Sequence, residues 1–253
     1  MTEGVLLAAD GSPHPQRGAE RFDRDVRAMF TRIAGQYTFF DHLATFGQDL
    51  VWRPRALWDL DRVLERPPER VLDLGCGPGD LTYLLADHYP QATVVAADFT
   101  PAMVRRAERL RAEVGARGAR VRFGIADVLR LPFAPRAFDM VTSAFLIRNL
   151  PQLEMGLAEM CRVLRPGGVA LALEITEPAP VWFRAWFHTY FDRVMPKLGA
   201  LFGTEGPYRY LSESLRAFPS REGVMEAFRR AGFRSVEARL QSAGSVTTFL
   251  ARA

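Results

Sequence analysis

Residues 71–79 read Val71-Leu72-Asp73-Leu74-Gly75-Cys76-Gly77-Pro78-Gly79, a short apolar run passing into a turn with glycine at every second position. Glycines so placed let the backbone turn sharply and let a ligand approach without meeting a Cβ. The spacing is GxGxG, not the GxGxxG of dinucleotide sites. Asp73 sits just ahead of the turn, where its charge would repel a pyrophosphate and attract a cationic sulfonium or amino group. The stretch therefore argues for S-adenosylmethionine and against a dinucleotide.

Outward from this turn, short apolar runs at Arg70–Leu74, Ala92–Ala97, Arg120–Ile125, Phe138–Phe145 and Val169–Glu174 alternate with amphipathic stretches around 80–89, 101–114 and 152–164. Strands alternating with helices predict an open, mostly parallel α/β sheet of the Rossmann-like kind, with ligands bound beyond the carboxyl ends of the strands. Ahead of it, Phe22, Val26, Met29, Phe30 and Ile33, then Leu43, Phe46, Leu50, Leu57, Leu60 and Leu64, recur at helical spacing. The chain divides into a flexible leader (1–18) and a single domain (19–253). That domain comprises an N-terminal helical cap (19–66), a cofactor-binding core (67–177), a helical lid insertion (178–219), and a closing helix at 220–232 with strands near 233–239 and 245–251.

The strand ends carry further acids. Asp98 follows Gly79 by nineteen residues and is placed to accept ribose hydroxyls, while Asp127 can accept from an adenine amino group. With Asp73, Gly75, Gly77 and Gly79 they form the candidate cofactor site, joined by Phe99, Val128 and Ser143 at the same strand ends. The competing reading of Asp98 is an N-cap for the helix at Pro101. In the lid, Val181 to Phe191 places large aromatics at i, i+1, i+4, i+5, i+8 and i+9. Trp182, Trp186 and Tyr190 are candidates for a wall against an apolar substrate, the others for packing on the sheet.

The chain has 253 residues, 33 basic against 29 acidic side chains, a net charge of +4 and 48% hydrophobic residues, the profile of a globular protein with a sizeable core. Its cysteines, Cys76 and Cys161, have no metal or disulfide-framework spacing, so no metal is expected. No apolar run is long enough to span a bilayer and no secretory signal is present, which predicts a cytoplasmic protein. Lys197 is the sole lysine and the arginines are mixed with acids. With no basic tract and no base-flipping motif, nucleic acid is not an expected partner.

These residues resemble class I S-adenosylmethionine-dependent methyltransferases, whose sheet has seven strands. The resemblance sharpens with Met29 to Tyr37, Asp41 to Arg53, Leu131-Pro132-Phe133, Phe145-Leu146-Ile147-Arg148-Asn149, Arg162 to Gly168 and Tyr208 to Ser214. All are similar to the UbiE/MenG/Coq5 quinone-biosynthesis C-methyltransferases. Thr38, Asp41, Thr45 and the last five residues depart from that family's pattern.

The resemblance implies C-methylation of a polyprenylated quinol, demethylmenaquinol or a ubiquinone-pathway benzoquinol, with peripheral contact with lipid at the inner face of the plasma membrane. A homodimer is compatible with the sequence. Arg148 is the candidate cation for a quinol phenolate and Asn149 for a quinol oxygen, or else Arg148 pairs with a structural acid and Asn149 caps the next helix. Asp41, Tyr37 and His42 are candidate proton acceptors or ring contacts, and His42 reads equally as an exposed helix residue. Two other functions stay open: methylation of a soluble aromatic or other small hydrophobic metabolite, and a non-catalytic cofactor-binding subunit of a biosynthetic complex.

Overall fold

A computed structural model describes residues 19–35, 42, 45–195, 197 and 205–253. The leader at 1–18 and the candidates Tyr37 and Asp41 lie outside the described residues. Apolar and β-branched residues build β1 (Arg70–Leu74), β2 (Thr93–Asp98), β3 (Val121–Ile125), β4 (Phe138–Ala144) and β5 (Leu164–Ile175), all paired in parallel. An antiparallel pair, β6 (Ser235–Gln241) and β7 (Val246–Arg252), extends the sheet. The order is β3-β2-β1-β4-β5-β7-β6, the seven-stranded arrangement expected. Strand order reverses at β1 and β4, the switch point where such sheets leave a crevice for ligands.

Side chains alternate between the two faces, and each face is covered by helices. Val71, Met140 and Leu171 pack on one side with Leu57 and Leu60 of α2 (Asp49–Asp61) and Leu85 of α3 (Asp80–His88). Leu72, Val141 and Ala170 pack on the other with Met160 of α5 (Leu153–Val163) and Phe228 of α8 (Arg221–Arg230). The remaining α-helices among the described residues are α1 (Ala19–Ile33), α4 (Pro101–Glu113), α6 (Val181–Thr189) and α7 (Glu205–Ala217).

Several sequence readings shift, and β5 begins at Leu164, five residues before the expected Val169. The first closing strand starts two residues later than expected, at Ser235, and Phe233 is instead buried against Phe228 at the helix–strand corner, with ring centroids 5.2 Å apart; the second starts one residue later, at Val246. The helix from 181 does not run evenly, since its regular turns stop at Thr189 and widen into a π-helical segment over Tyr190–Val194. That widening lets Tyr190 and Phe191, adjacent in sequence, both be buried.

Asp139 pins the amino ends of the central strands. Its Oδ2 accepts the N–H groups of Glu69 at 2.7 Å and Arg70 at 2.9 Å, and its other oxygen pairs with Arg165. Removing the carboxyl strands two donors and a cation together. Asp139→Ala is expected to lower the unfolding free energy by about 2–4 kcal/mol in urea titration, and Asp139→Asn by less than half of that.

Candidate active site

Gly75 opens the turn after β1 with φ +61°, and a Cβ there would stand 2.7 Å from Leu146 Cδ1. At Gly79, with φ +102°, a Cβ would meet the Tyr83 ring at 2.7 Å, and that ring cannot swing away because its hydroxyl donates to Ala107 O at 2.6 Å. The turn is thus held to glycine by its neighbours as well as by its backbone angles. Asp98 at the end of β2 holds it in place, with Oδ2 accepting Gly77 N–H at 3.0 Å and Oδ1 accepting Thr100 N–H at 2.7 Å. Thr100, not Asp98, is the residue at the N-cap of α4, so the capping alternative for Asp98 is not realised. Burial raises the Asp98 carboxyl above its ordinary range, and the two backbone donors restrain the rise.

Beyond the turn lies a cleft lined by Gly75, Gly77, Asp98, Phe99, Asp127 and Val128, with Arg27 and Phe30 of α1 on its wall. Asp127 Oδ1 accepts Leu129 N–H at 2.9 Å, which orders the loop after β3. Ser143 is buried beside Leu74 in the strand register, and its hydroxyl meets no hydrogen-bond partner among the described residues. Asp73 lies elsewhere, in a small annex with Arg53, Cys76 and Asp80 that shares Gly75, Gly77 and Ala144 with the cleft. Thr82 and Thr142 donate their hydroxyls to Asp73 at 2.5 and 2.8 Å. Burial outweighs those bonds and pushes its carboxyl up to about 7.

A second cavity is walled by Phe183, Trp186, Phe187, Tyr190 and Phe191, together with Phe46, Trp52 and Arg148. The Trp186 and Tyr190 rings stack at 5.4 Å, and Phe46 lies 5.2 Å from Tyr190. Trp182 is 76% exposed and packs against Phe183 of this wall.

Phe145 lines both spaces. Its φ of +59° is costly for an aromatic residue, and such strain persists only where neighbours impose it. Here Leu173 O accepts Phe145 N–H at 2.7 Å, and Asn149 Nδ2 donates to Phe145 O at 3.0 Å. The Asn149 Oδ1 in turn accepts the Tyr210 hydroxyl at 2.9 Å. Asn149 therefore braces Phe145 and does not cap α5, whose N-cap is Gln152.

Arg148 pairs with Glu174, which is fully buried at the end of β5 and also accepts Arg148 N–H at 3.2 Å. Burial raises the Glu174 carboxyl, and the Arg148 guanidinium opposes that rise. The structural-acid pairing is thus present, and it leaves Arg148 on the cavity wall. His42 gives its Nδ1 to a 2.8 Å contact with Asp49 Oδ1, in a network with Thr45 and Arg53. Burial would raise the Asp49 carboxyl, but the His42 and Thr45 bonds and the Arg53 charge outweigh it and hold the carboxyl below its ordinary value.

Sequence reasoning missed Glu174, Tyr210 and the Asp49–Arg53 pair. A lone acid closing the apolar run Val169–Glu174, and an acid and arginine four residues apart on one helix, were the available signals.

Compared with known proteins, the chain matches the model of the ubiE/COQ5 methyltransferase family over residues 18–252. It is 46% identical over 206 residues to a demethylmenaquinone methyltransferase of Thermus thermophilus, covering 81% of this chain and 91% of that one. To a ubiquinone/menaquinone biosynthesis C-methyltransferase UbiE of Geobacter sulfurreducens it is 36% identical, over 88% of this chain and 86% of the other. Among solved structures, a SAM-dependent methyltransferase from Aquifex aeolicus superposes with a TM-score of 0.57 at 18% identity, covering 78% of this chain and 88% of that one, a likeness of fold. The family match spans the glycine turn, the strand-end acids and the aromatic cavity alike, and the chain belongs to the ubiE/COQ5 methyltransferase family.

Proposed function

We propose that the protein transfers a methyl group from S-adenosylmethionine to a ring carbon of an isoprenoid quinol, with demethylmenaquinol as the leading substrate. The observation that carries this reading is that Phe145 lines both a cleft edged by strand-end acids and an aromatic cavity with the half-buried Arg148 on its wall. The names of the Thermus and Geobacter relatives support the same chemistry.

S-adenosylmethionine, when bound, supplies an electrophilic methyl group on a positively charged sulfur. The residues suit it. Each Asp98 oxygen accepts one backbone N–H and retains acceptor capacity for ribose hydroxyls, and the Ser143 hydroxyl at the end of β4 is buried with no partner among the described residues. Asp127, Phe99 and Val128 complete the nucleoside end of the cleft.

A quinol hydroxyl has a pKa near 10, so its phenolate, the form that makes the adjacent ring carbon nucleophilic, is scarce at neutral pH. Arg148 stabilises that anion, and Glu174 fixes the guanidinium in advance so that no reorganisation is required. Arginine does not act as the base. Asn149 holds Phe145, and the aromatic wall orients the ring and excludes water.

Among the described residues no helix is long and apolar enough to cross a membrane. Phe46 and Trp186 line the cavity and are also exposed, and Leu50, Val51, Val181 and Trp182 add further exposed apolar surface. Tryptophan-rich surfaces of this kind settle at the lipid interface, and this one suits a substrate whose isoprenoid tail stays in the bilayer.

The test of function is transfer of a labelled methyl from S-adenosylmethionine to demethylmenaquinol and to a demethylated benzoquinol. Label on the ring carbon of either is expected, and transfer to neither overturns the reading. Arg148→Ala alone would leave Glu174 buried and unpaired, a loss of about 3–5 kcal/mol. The paired change R148Q/E174Q avoids this, and should keep donor affinity within about threefold while lowering turnover at least about 100-fold.

Asp73 predicts a pH dependence. Its raised pKa leaves it mostly protonated at pH 6, and a cationic donor favours the charged form. Donor affinity measured by calorimetry should therefore rise up to about tenfold between pH 6 and pH 8, with proton release, and Asp73→Asn should flatten the rise. Flotation with vesicles of anionic lipid should recover the protein, and Trp182→Ser should reduce the recovered fraction by at least half.

A further inference from the structure

The aromatic cavity carries polar groups beyond Arg148. A quinol has two ring oxygens, and Arg148 meets the one beside the reacting carbon. Thr45, Gln48, Ser242 and Ser245 also line the cavity, in a wall that is otherwise largely aromatic. Thr45 gives its hydroxyl proton to Asp49 Oδ1 at 2.8 Å, and Ser245 gives its own to Ser242 O at 2.8 Å. Those two donors are occupied, which leaves Gln48 and Ser242.

Gln48 and Ser242 belong to a chain of hydrogen bonds whose direction is fixed at one end. The Trp52 indole can only donate, and its Nε1–H goes to Ser242 Oγ at 2.8 Å. Ser242 passes its single proton onward to Gln48 Oε1, also at 2.8 Å. The amide oxygen therefore faces Ser242, and Nε2 keeps two N–H groups for which no described residue is an acceptor. Gln48 is exposed as well as lining the cavity, so these donors stand at its rim.

The turn between β6 and β7 that supplies Ser242 is strained. Ser242, Ala243 and Gly244 have φ of +45°, +56° and +84°, three left-handed residues in succession of which two carry a Cβ. Such conformations cost energy and persist where the surroundings impose them. Here Ala179 N–H donates to Ala243 O at 3.1 Å, and the Thr176 hydroxyl to Gly244 O at 2.9 Å. Held in this way, Ser242 reaches two residues that lie 190 and 194 positions earlier in the chain.

We propose that Gln48 donates an N–H to the second ring oxygen of the quinol, the one that does not meet Arg148, and so selects aromatic diols over monophenols. Ser242 is a positioning residue that orients the amide. The assignment rests on the quinol reading above. A site built to bond a substrate hydroxyl discriminates against the analogue that lacks it. Because Gln48 is exposed, the margin is that of one neutral hydrogen bond.

The test compares the quinol that the protein methylates with its analogue bearing hydrogen in place of the hydroxyl farther from the reacting carbon. The affinity of that monophenol is read as its inhibition constant against the quinol, whether or not it is itself methylated. Gln48→Met keeps the length of the side chain, and should raise KM for the quinol about three- to tenfold with kcat and the monophenol's inhibition constant unchanged. Ser242→Gly removes the hydroxyl at a backbone angle that glycine adopts freely, and should raise the same KM at least about twofold by the same route.

An unchanged KM for the quinol in Gln48→Met overturns the assignment. So does an equal loss of affinity for quinol and monophenol, which would make Gln48 a wall of the rim and not a partner of the second oxygen. An unchanged KM in Ser242→Gly overturns the positioning role. Transfer by the natural protein to neither a naphthoquinol nor a benzoquinol would instead overturn the quinol reading itself, and the assignment of Gln48 with it.

Discussion

Ionisable side chains crowd the carboxyl edge of the sheet in positions that water does not reach, and much of the site is arranged around the cost of burying them. Asp73 at β1, Asp98 at β2 and Glu174 at β5 are all buried. Each is compensated differently, by two threonine hydroxyls, by two backbone N–H groups, and by a guanidinium. Hydroxyls are weaker donors to charge than a guanidinium, so Asp73 is left near neutrality, a carboxyl that a cation would ionise. The Asp98 solution has a structural consequence, because satisfying its Oδ2 draws Gly77 and the turn against β2. The turn's shape is then a product of buried charge as well as of glycine.

Phe145 converts this edge into two adjoining spaces. It occupies a left-handed backbone conformation immediately after β4, where the strand would otherwise continue, and so faces the cleft on one side and the aromatic cavity on the other. The guanidinium carbons of Arg53 and Arg148 lie 5.4 and 5.8 Å from its ring centroid. The cleft and the aromatic cavity therefore adjoin at this one ring.

Much of the fold was legible from Val71 to Gly79 outward, because a strand, a glycine turn and a helix declare themselves through nearest-neighbour preferences. The aromatic segment was partly legible. Its periodicity showed a broad apolar face, and the structure divides that face into buried Phe187, Tyr190 and Phe191 and exposed Trp182 and Trp186. Asn149 was legible as a special position and not in its role, since the bond it makes to Phe145 O depends on a backbone conformation that no local pattern announces. Arg148 had two readings, a cation for substrate and a partner for a structural acid. Both are compatible with one geometry, because the acid that holds it also leaves it on the cavity wall.

By itself the amino-acid sequence determined the order of strands and helices, the place of the glycine turn, and the presence of acids at successive strand ends. Those features follow from alternation of side chains along a strand, from helical periodicity and from the backbone freedom of glycine, all of which act over a few residues. The tertiary structure alone decided which carboxyl meets which donor. Glu174 finds Arg148 from 26 residues away, Asp139 holds the start of β1 from about 70, and the Trp52 indole donates to Ser242 Oγ across 190. Burial and charge pairing depend on segments brought together by packing, and their energies are set by exclusion of water that no local stretch of chain can achieve.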